Sequence, residues 1–169
     1  MALSKAPRFI QGIWGPYYGS ILPEYHLNEA GQSVTGALID ALFASDSECQ
    51  KLASTCGMAL PEYLNNLILD LAKHENLDWH FLAKDFHVLP YHHGNRSPRA
   101  NSSLKGALHG CTLDNAVPQL AIQYLATCQA IALGHRHIIN TLNSAGYRIR
   151  EIVVSGGLAR NELYLQVGF

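Results

Sequence analysis

The segment best suited to chemistry is Val153–Asn161, reading VVSGGLARN. A β-branched run that ends in two glycines and opens into a helix sets backbone N–H groups at a helix N-terminus. Glycine lets a ligand approach that backbone closely, and the helix dipole there favours phosphate or a polar ring. The segment has neither the lysine of a Walker loop nor the third glycine of a dinucleotide fingerprint. Taken alone, it reads first as a plain strand-to-helix turn. His92–Pro98, HHGNRSP, is a second such segment. Glycine, asparagine and proline account for a turn there, while Arg96 offers a planar fork for a carboxylate or phosphate. In the third, Asn28–Gly36, residues Gln32, Ser33 and Thr35 gather at a helix start. Capping is the first reading of these side chains, and ligand contact the second.

The remaining reactive side chains point to less. Cys49, Cys56, Cys111 and Cys128 form no C-x-x-C pair; two lie on apolar faces of predicted helices, and buried thiols of a reducing cytoplasm are the plain expectation. None of the nine histidines belongs to H-E-x-x-H or pairs with cysteine at zinc spacing. His135 and His137 project from opposite sides of a helix, so no metal site is expected. A formal net charge of −1 without charge blocks gives no case for nucleic acid or an anionic membrane. No apolar run approaches the ~20 residues needed to span a bilayer, and the opening MALSKAPRF is not a secretory signal.

Elements that would position these segments follow from periodicity. With 169 residues, 48% hydrophobic and 15% charged, the chain suits one folded domain. Residues 8–27, rich in glycine, proline and aromatics, read as an ordered loop or broken strand. Val34, Ala37, Leu38, Ala41 and Leu42 mark a helix face. Ser45 and Glu48 form a capping box for a second helix, whose face is Cys49, Leu52, Ala53 and Cys56 and whose end is Gly57. Pro61 opens a third, with Leu64, Leu67, Ile68 and Leu71 inward. Phe86–Leu89 reads as a strand and 104–111 as a weaker one. Asp114 caps and Pro118 opens the longest helix, of roughly 40 Å, whose inner face is Ala121, Leu125, Cys128, Ala132, His135, Ile139 and Leu142. Gly146 closes it. Ile152–Val154 then makes a strand into the double glycine, and a last helix starts near Asn161. The order indicates an α/β layer architecture with few strands for its helices.

The run GIWGPYYGSILPEYHLNEAGQSVTGALID, then HHGNRSP, then YLATCQAIALGHRHII, then VVSGGLARNELYLQ resembles the FGGY family of carbohydrate kinases, and within it the pentulose, ribulokinase-like branch. The likeness covers nearly the whole chain, in order. It implies an α/β fold: an incomplete C-terminal ribonuclease-H-like domain of the actin and hexokinase ATPase type, spanning 1–169. By position, Gly157 and Asn161 match the glycine and asparagine that hold the nucleotide; Gly36 matches another nucleotide-lining position, with Asp40 its neighbour. Gly94, Asn95 and Arg96 fall in a cleft loop. ATP and Mg²⁺ are the implied cofactors, a ketopentose such as D-ribulose the implied substrate, and the cytoplasm the implied location.

Two departures shape the expectation. Asn101-Ser102 stands where pentulose members carry aspartate-proline after GNRSP. The sugar-binding N-terminal domain and the catalytic aspartate have no counterpart in these residues, so no catalytic residue is assigned. The chain is therefore expected to be inactive alone and to work with an N-terminal kinase half. The alternative is a non-catalytic nucleotide-binding or regulatory piece that associates with a full-length homologue.

Overall fold

The computed structural model describes residues 1–44, 47–114 and 116–168. In chain order the elements are β1 (Ala2–Ser4), β2 (Trp14–Tyr18), β3 (His26–Glu29), α1 (Gly36–Ala44), α2 (Ser47–Thr55), α3 (Leu60–Glu75), β4 (His87–Leu89), β5 (Ala107–His109), α4 (Val117–Ser144) and α5 (Glu162–Gly168). Short 3₁₀ turns cover Trp79–Phe81 and Gly157–Arg160. The strands form two antiparallel sheets, one ordered β1-β3-β2 and one of β4 with β5. Among the described residues no helix is long and apolar enough to cross a membrane.

Helix α4 is the spine. Its 28 residues span about 42 Å at 1.5 Å per residue, long enough to serve two cores. Around its first half, Leu64 and Ile68 of α3, Ile39 of α1 and Leu163 and Tyr164 of α5 pack against Leu120, Tyr124, Leu125, Cys128 and Ile131. Around its second half, Ile138 and Leu142 meet Ala2, Ile13 and Tyr147. The first half is buried on every side, Tyr124 through Cys128 consecutively. The expected single face is present but too narrow, because α1, α3, α5 and β4 surround the helix.

Local signals explain most element ends. Gly57 takes φ +66° after α2, and Met58 N–H reaches back to Ala53 C=O at 3.1 Å, closing the helix. Pro61 sits in the first turn of α3, whose inner stripe is Leu64, Ile68 and Ala72. The aromatic segment 8–27 holds β2, with a register shift between Trp14 and Tyr17 that breaks the strand. The weak strand at 104–111 is β5, pairing with β4. Asp114 does not cap α4; its carboxylate accepts from Ala116 N–H at 2.9 Å, ahead of the helix, and Ala116 occupies the cap position. Ser45 of the expected capping box lies outside the described residues.

Three expectations are corrected. In α1 the buried residue is Ile39, with Leu42 and Phe43 packed beside it, while Ala37 and Ala41 are exposed. The sequence GALIDALFA is apolar nearly all round, so periodicity alone could not choose its face. Among the described residues no strand pairs with Ile152–Val154, and Val153 is 94% exposed. A β-branched run becomes a strand only where a neighbour supplies the ladder. Cys128 is buried, but Cys56 lies just past the end of α2 and is exposed, as is Cys111.

Candidate functional site

A cleft of about 940 Å³ opens among α1, α3 and α5. From α1 and its approach come Thr35, Gly36, Ile39, Asp40 and Phe43; from α3 come Pro61, Glu62, Asn65, Asn66 and Leu69. The far wall is Ser155, Gly157, Arg160, Asn161 and Glu162, with Tyr124 and Trp79 alongside. The four residues expected to meet a nucleotide, Gly36, Asp40, Gly157 and Asn161, all line this one space. A Cβ added at Gly36 or at Gly157 would meet nothing within 4 Å, so both glycines leave room where a side chain would intrude. Gly156 adopts φ +91°, which turns the chain into the 3₁₀ segment.

Asn161 is the best-held polar group of the site. Its Oδ1 accepts from Tyr164 N–H at 3.1 Å, which makes it the N-cap of α5, and from Asn65 Nδ2 at 3.2 Å. Its Nδ2 donates to the Tyr124 hydroxyl. Burial pushes the Cys128 thiol up to about 12 and raises Tyr124 further, with Cys128 adding to the shift. Both stay protonated near neutral pH, so they are structural polar groups rather than nucleophile or base. Behind them Tyr164 Oη lies 3.0 Å from His135 Nδ1. Burial lowers the His135 imidazole below its ordinary value.

The walls suit a nucleoside better than a bare polyphosphate. Ile39, Phe43, Leu69, Trp79 and Leu163 give apolar surface, and Asn65, Asn66, Asn161 and Gln166 give amide edges. Asp40, Glu62 and Glu162 face the space against a single basic lining residue, Arg160. An adenosine-sized group fits such a chamber in volume and polarity. Among the described residues no three histidine, cysteine or carboxylate side chains converge on a metal position.

Gly94, Asn95 and Arg96 do not join this cleft. Their loop packs on the three-stranded sheet: Arg96 Nη2 is 3.0 Å from Glu29 Oε1, and its guanidinium lies 4.0 Å from the Trp14 ring centroid. Ser33 Oγ reaches Gly94 C=O at 3.3 Å, tying the loop to the approach of α1. Gly94 has φ +71°, and a Cβ there would fall 2.6 Å from Ser102 Cα. Asn95 and Asn101 exchange backbone hydrogen bonds at 2.9 Å. Asn101 Oδ1 accepts from Ser103 N at 2.9 Å and Ser103 Oγ at 2.6 Å. Both are acceptor roles, which an aspartate would fill equally well. Gln32, read first as a cap, instead donates to Ile131 C=O at 2.7 Å, against Gly134 of α4.

Sequence reasoning missed Asn65, Tyr124, Trp79 and Phe43. A signal existed for Asn65: asparagine is a poor mid-helix residue, and one flanking the buried Leu64 asks for a partner. Tyr124 was hidden among apolar neighbours in α4.

Comparison with known proteins gives a consistent set of likenesses. Residues 1–167 match the C-terminal domain of the FGGY family of carbohydrate kinases. The FGGY carbohydrate kinase domain-containing proteins of Homo sapiens and Xenopus laevis are 45% and 44% identical over 170 residues, covering 99% of this chain. A D-ribulokinase of Saccharomyces cerevisiae is 34% identical over 169 residues, covering 98% of this chain and 24% of its own length. The chain spans about 30% of the two vertebrate relatives. In three dimensions it superposes on a xyloylose kinase from Brucella ovis with a TM-score of 0.70 at 17% identity, over 99% of this chain and 30% of that one. A xylulose kinase from Bifidobacterium adolescentis gives 0.65 at 18% identity, over 96% and 28%. At these identities the likeness concerns the fold, a mixed helix-and-sheet sugar-kinase domain.

Proposed function

This chain belongs to the FGGY family of carbohydrate kinases, and we propose that it is the nucleotide-side part of an ATP-dependent kinase acting on a ketopentose such as D-ribulose. One observation carries the reading: Gly36 and Asp40 from one end of the chain, and Gly157 and Asn161 from the other, line a single cleft. In this reading residues 1–169 form one domain. Phe43 and Trp79 bound the base, Asn161 fixes it by a hydrogen bond, and the acidic side chains of α1 and α3 lie within the range of ribose hydroxyls. The open backbone at Gly157, with Arg160 beside it, faces the phosphates. Phosphoryl transfer then depends on what meets those phosphates from the sugar side: a base for the sugar hydroxyl, and closure that excludes water. ATP brings the transferable group, with Mg²⁺ on it, and this chain binds and orients its nucleoside end. D-ribulose is favoured among sugars by the ribulokinases among the relatives.

The Gly94–Arg96 loop is held apart from the nucleotide cleft, and we assign it to the cleft's sugar side, braced by Glu29 and Trp14. A coupled ADP-release assay across ribulose, xylulose, ribitol and glycerol tests the whole scheme. The chain alone is expected to give no sugar-dependent ADP, since a missing general base costs about 10²–10⁴-fold and a missing cleft wall costs more. Mixed with a separately expressed N-terminal kinase half, it is expected to release ADP with ribulose. Sugar-dependent turnover by the chain alone would contradict the division of labour.

A further inference from the structure

The hydrogen-bond pattern around Asn161 fixes more than its position. Tyr164 N–H can only donate, so the atom of Asn161 facing it must be the carbonyl oxygen. That oxygen also receives Asn65 Nδ2, which fills both of its lone pairs. On the other side, Nδ2 of Asn161 gives one hydrogen to Tyr124 Oη. Tyr124 Oη is the acceptor there, because an amide nitrogen can only donate. The one group of the Asn161 carboxamide left over is the second Nδ2 hydrogen. Three helices, α3, α4 and α5, hold the amide in this state.

Asn65 adds an independent sign. Its Oδ1 is buried without a hydrogen-bond partner, although the residue lines the cleft. Flipping the Asn65 amide would set two oxygens against each other at Asn161, so the orphan acceptor is a consequence of keeping Asn161 oriented. A buried acceptor without a protein partner calls for a specific cause, and holding a neighbouring amide in one orientation is such a cause.

Building on the nucleotide reading, we propose that Asn65 and Tyr124 lock Asn161 as a donor-only group, so that its contact with the nucleotide is an N–H given to an acceptor atom of the nucleoside. Asn65 and Tyr124 are positioning residues that act through Asn161. Asn161→Asp is the decisive variant: aspartate keeps the acceptor for Tyr164 N–H and for Asn65, and so keeps the helix cap, but it has no N–H to give.

Titration calorimetry on the full chain, with adenylyl imidodiphosphate plus Mg²⁺ and separately with adenosine, reads the outcome. Adenosine carries no phosphate, so weaker adenosine binding by the Asn161→Asp variant cannot be charge repulsion. Asn161→Asp should weaken both ligands about 2–10-fold, at least as much as Asn161→Ala, with an unchanged melting temperature. Asn65→Ala should weaken binding in the parent chain and have no further effect on top of Asn161→Ala, as expected of a residue acting through another. Tyr124→Phe should behave alike. Undiminished binding by Asn161→Asp, or an additive effect of Asn65→Ala, would overturn the lock while leaving the nucleotide site standing. Failure of the unmodified chain to bind either ligand would remove the site and the lock together.

Discussion

At the scale of the residue, the site rests on what is absent at Gly157. No atom lies within 4 Å of where its Cβ would be, so a valine there would not strain the protein and would fill only the cleft. Gly157→Val is therefore expected to abolish measurable nucleotide binding with the melting temperature held, and paired calorimetry and thermal melts check both halves. Asn101 is expected to be silent. Its oxygen takes two donors from Ser103, and Asn101→Asp should leave stability within about 0.5 kcal/mol, as read by urea unfolding. Sequence supplied Gly36, Asp40, Gly157 and Asn161 only through family likeness; spacing alone left the double glycine as an ordinary turn. It could not supply Tyr124 or Asn65, because the bonds that give them meaning join α3, α4 and α5.

At the scale of the element, the helices were legible where polar residues broke their apolar pattern. In α3, Leu64 and Ile68 stand between asparagines and acids, and their face is the buried one. In α1 only Asp40 breaks an apolar string, and periodicity finds Leu42 but misses Ile39 and Phe43. Ile152–Val154 had strand composition but no neighbour to pair with among the described residues. The three-stranded sheet is tied to the end of α4 through Tyr147, whose hydroxyl donates to the fully buried Asn28 Oδ1 at 2.8 Å. Tyr147→Phe strands that acceptor and should cost about 1–3 kcal/mol in urea unfolding. Helix α5 is held to α4 partly by Tyr164 and His135. Burial holds His135 below its ordinary 6.5, so below that pH the unfolded chain takes up a proton that the folded one resists. Stability from this residue is complete above pH 6.5 and is lost as pH falls through the lowered value. His135→Gln should flatten the fall of melting temperature with pH in that window.

At the scale of the whole molecule, one helix links two cores with different duties. The first half of α4 carries the helical core whose outer surface is the cleft among α1, α3 and α5. The second half carries the sheet on which the Gly94–Arg96 loop rests. Composition and periodicity indicated an α/β chain with few strands; that its strands split into two antiparallel sheets depends on pairings over long separations that no local pattern encodes. The central claim is that the cleft among α1, α3 and α5 takes ATP, and backbone hydrogen exchange with and without ATP and Mg²⁺ addresses it most directly. The expected result is slowed exchange confined to 35–43, 59–69 and 155–166, the segments that line the cleft, with 92–103 unchanged. Protection centred on 92–103, or none anywhere at saturating ATP, would contradict it.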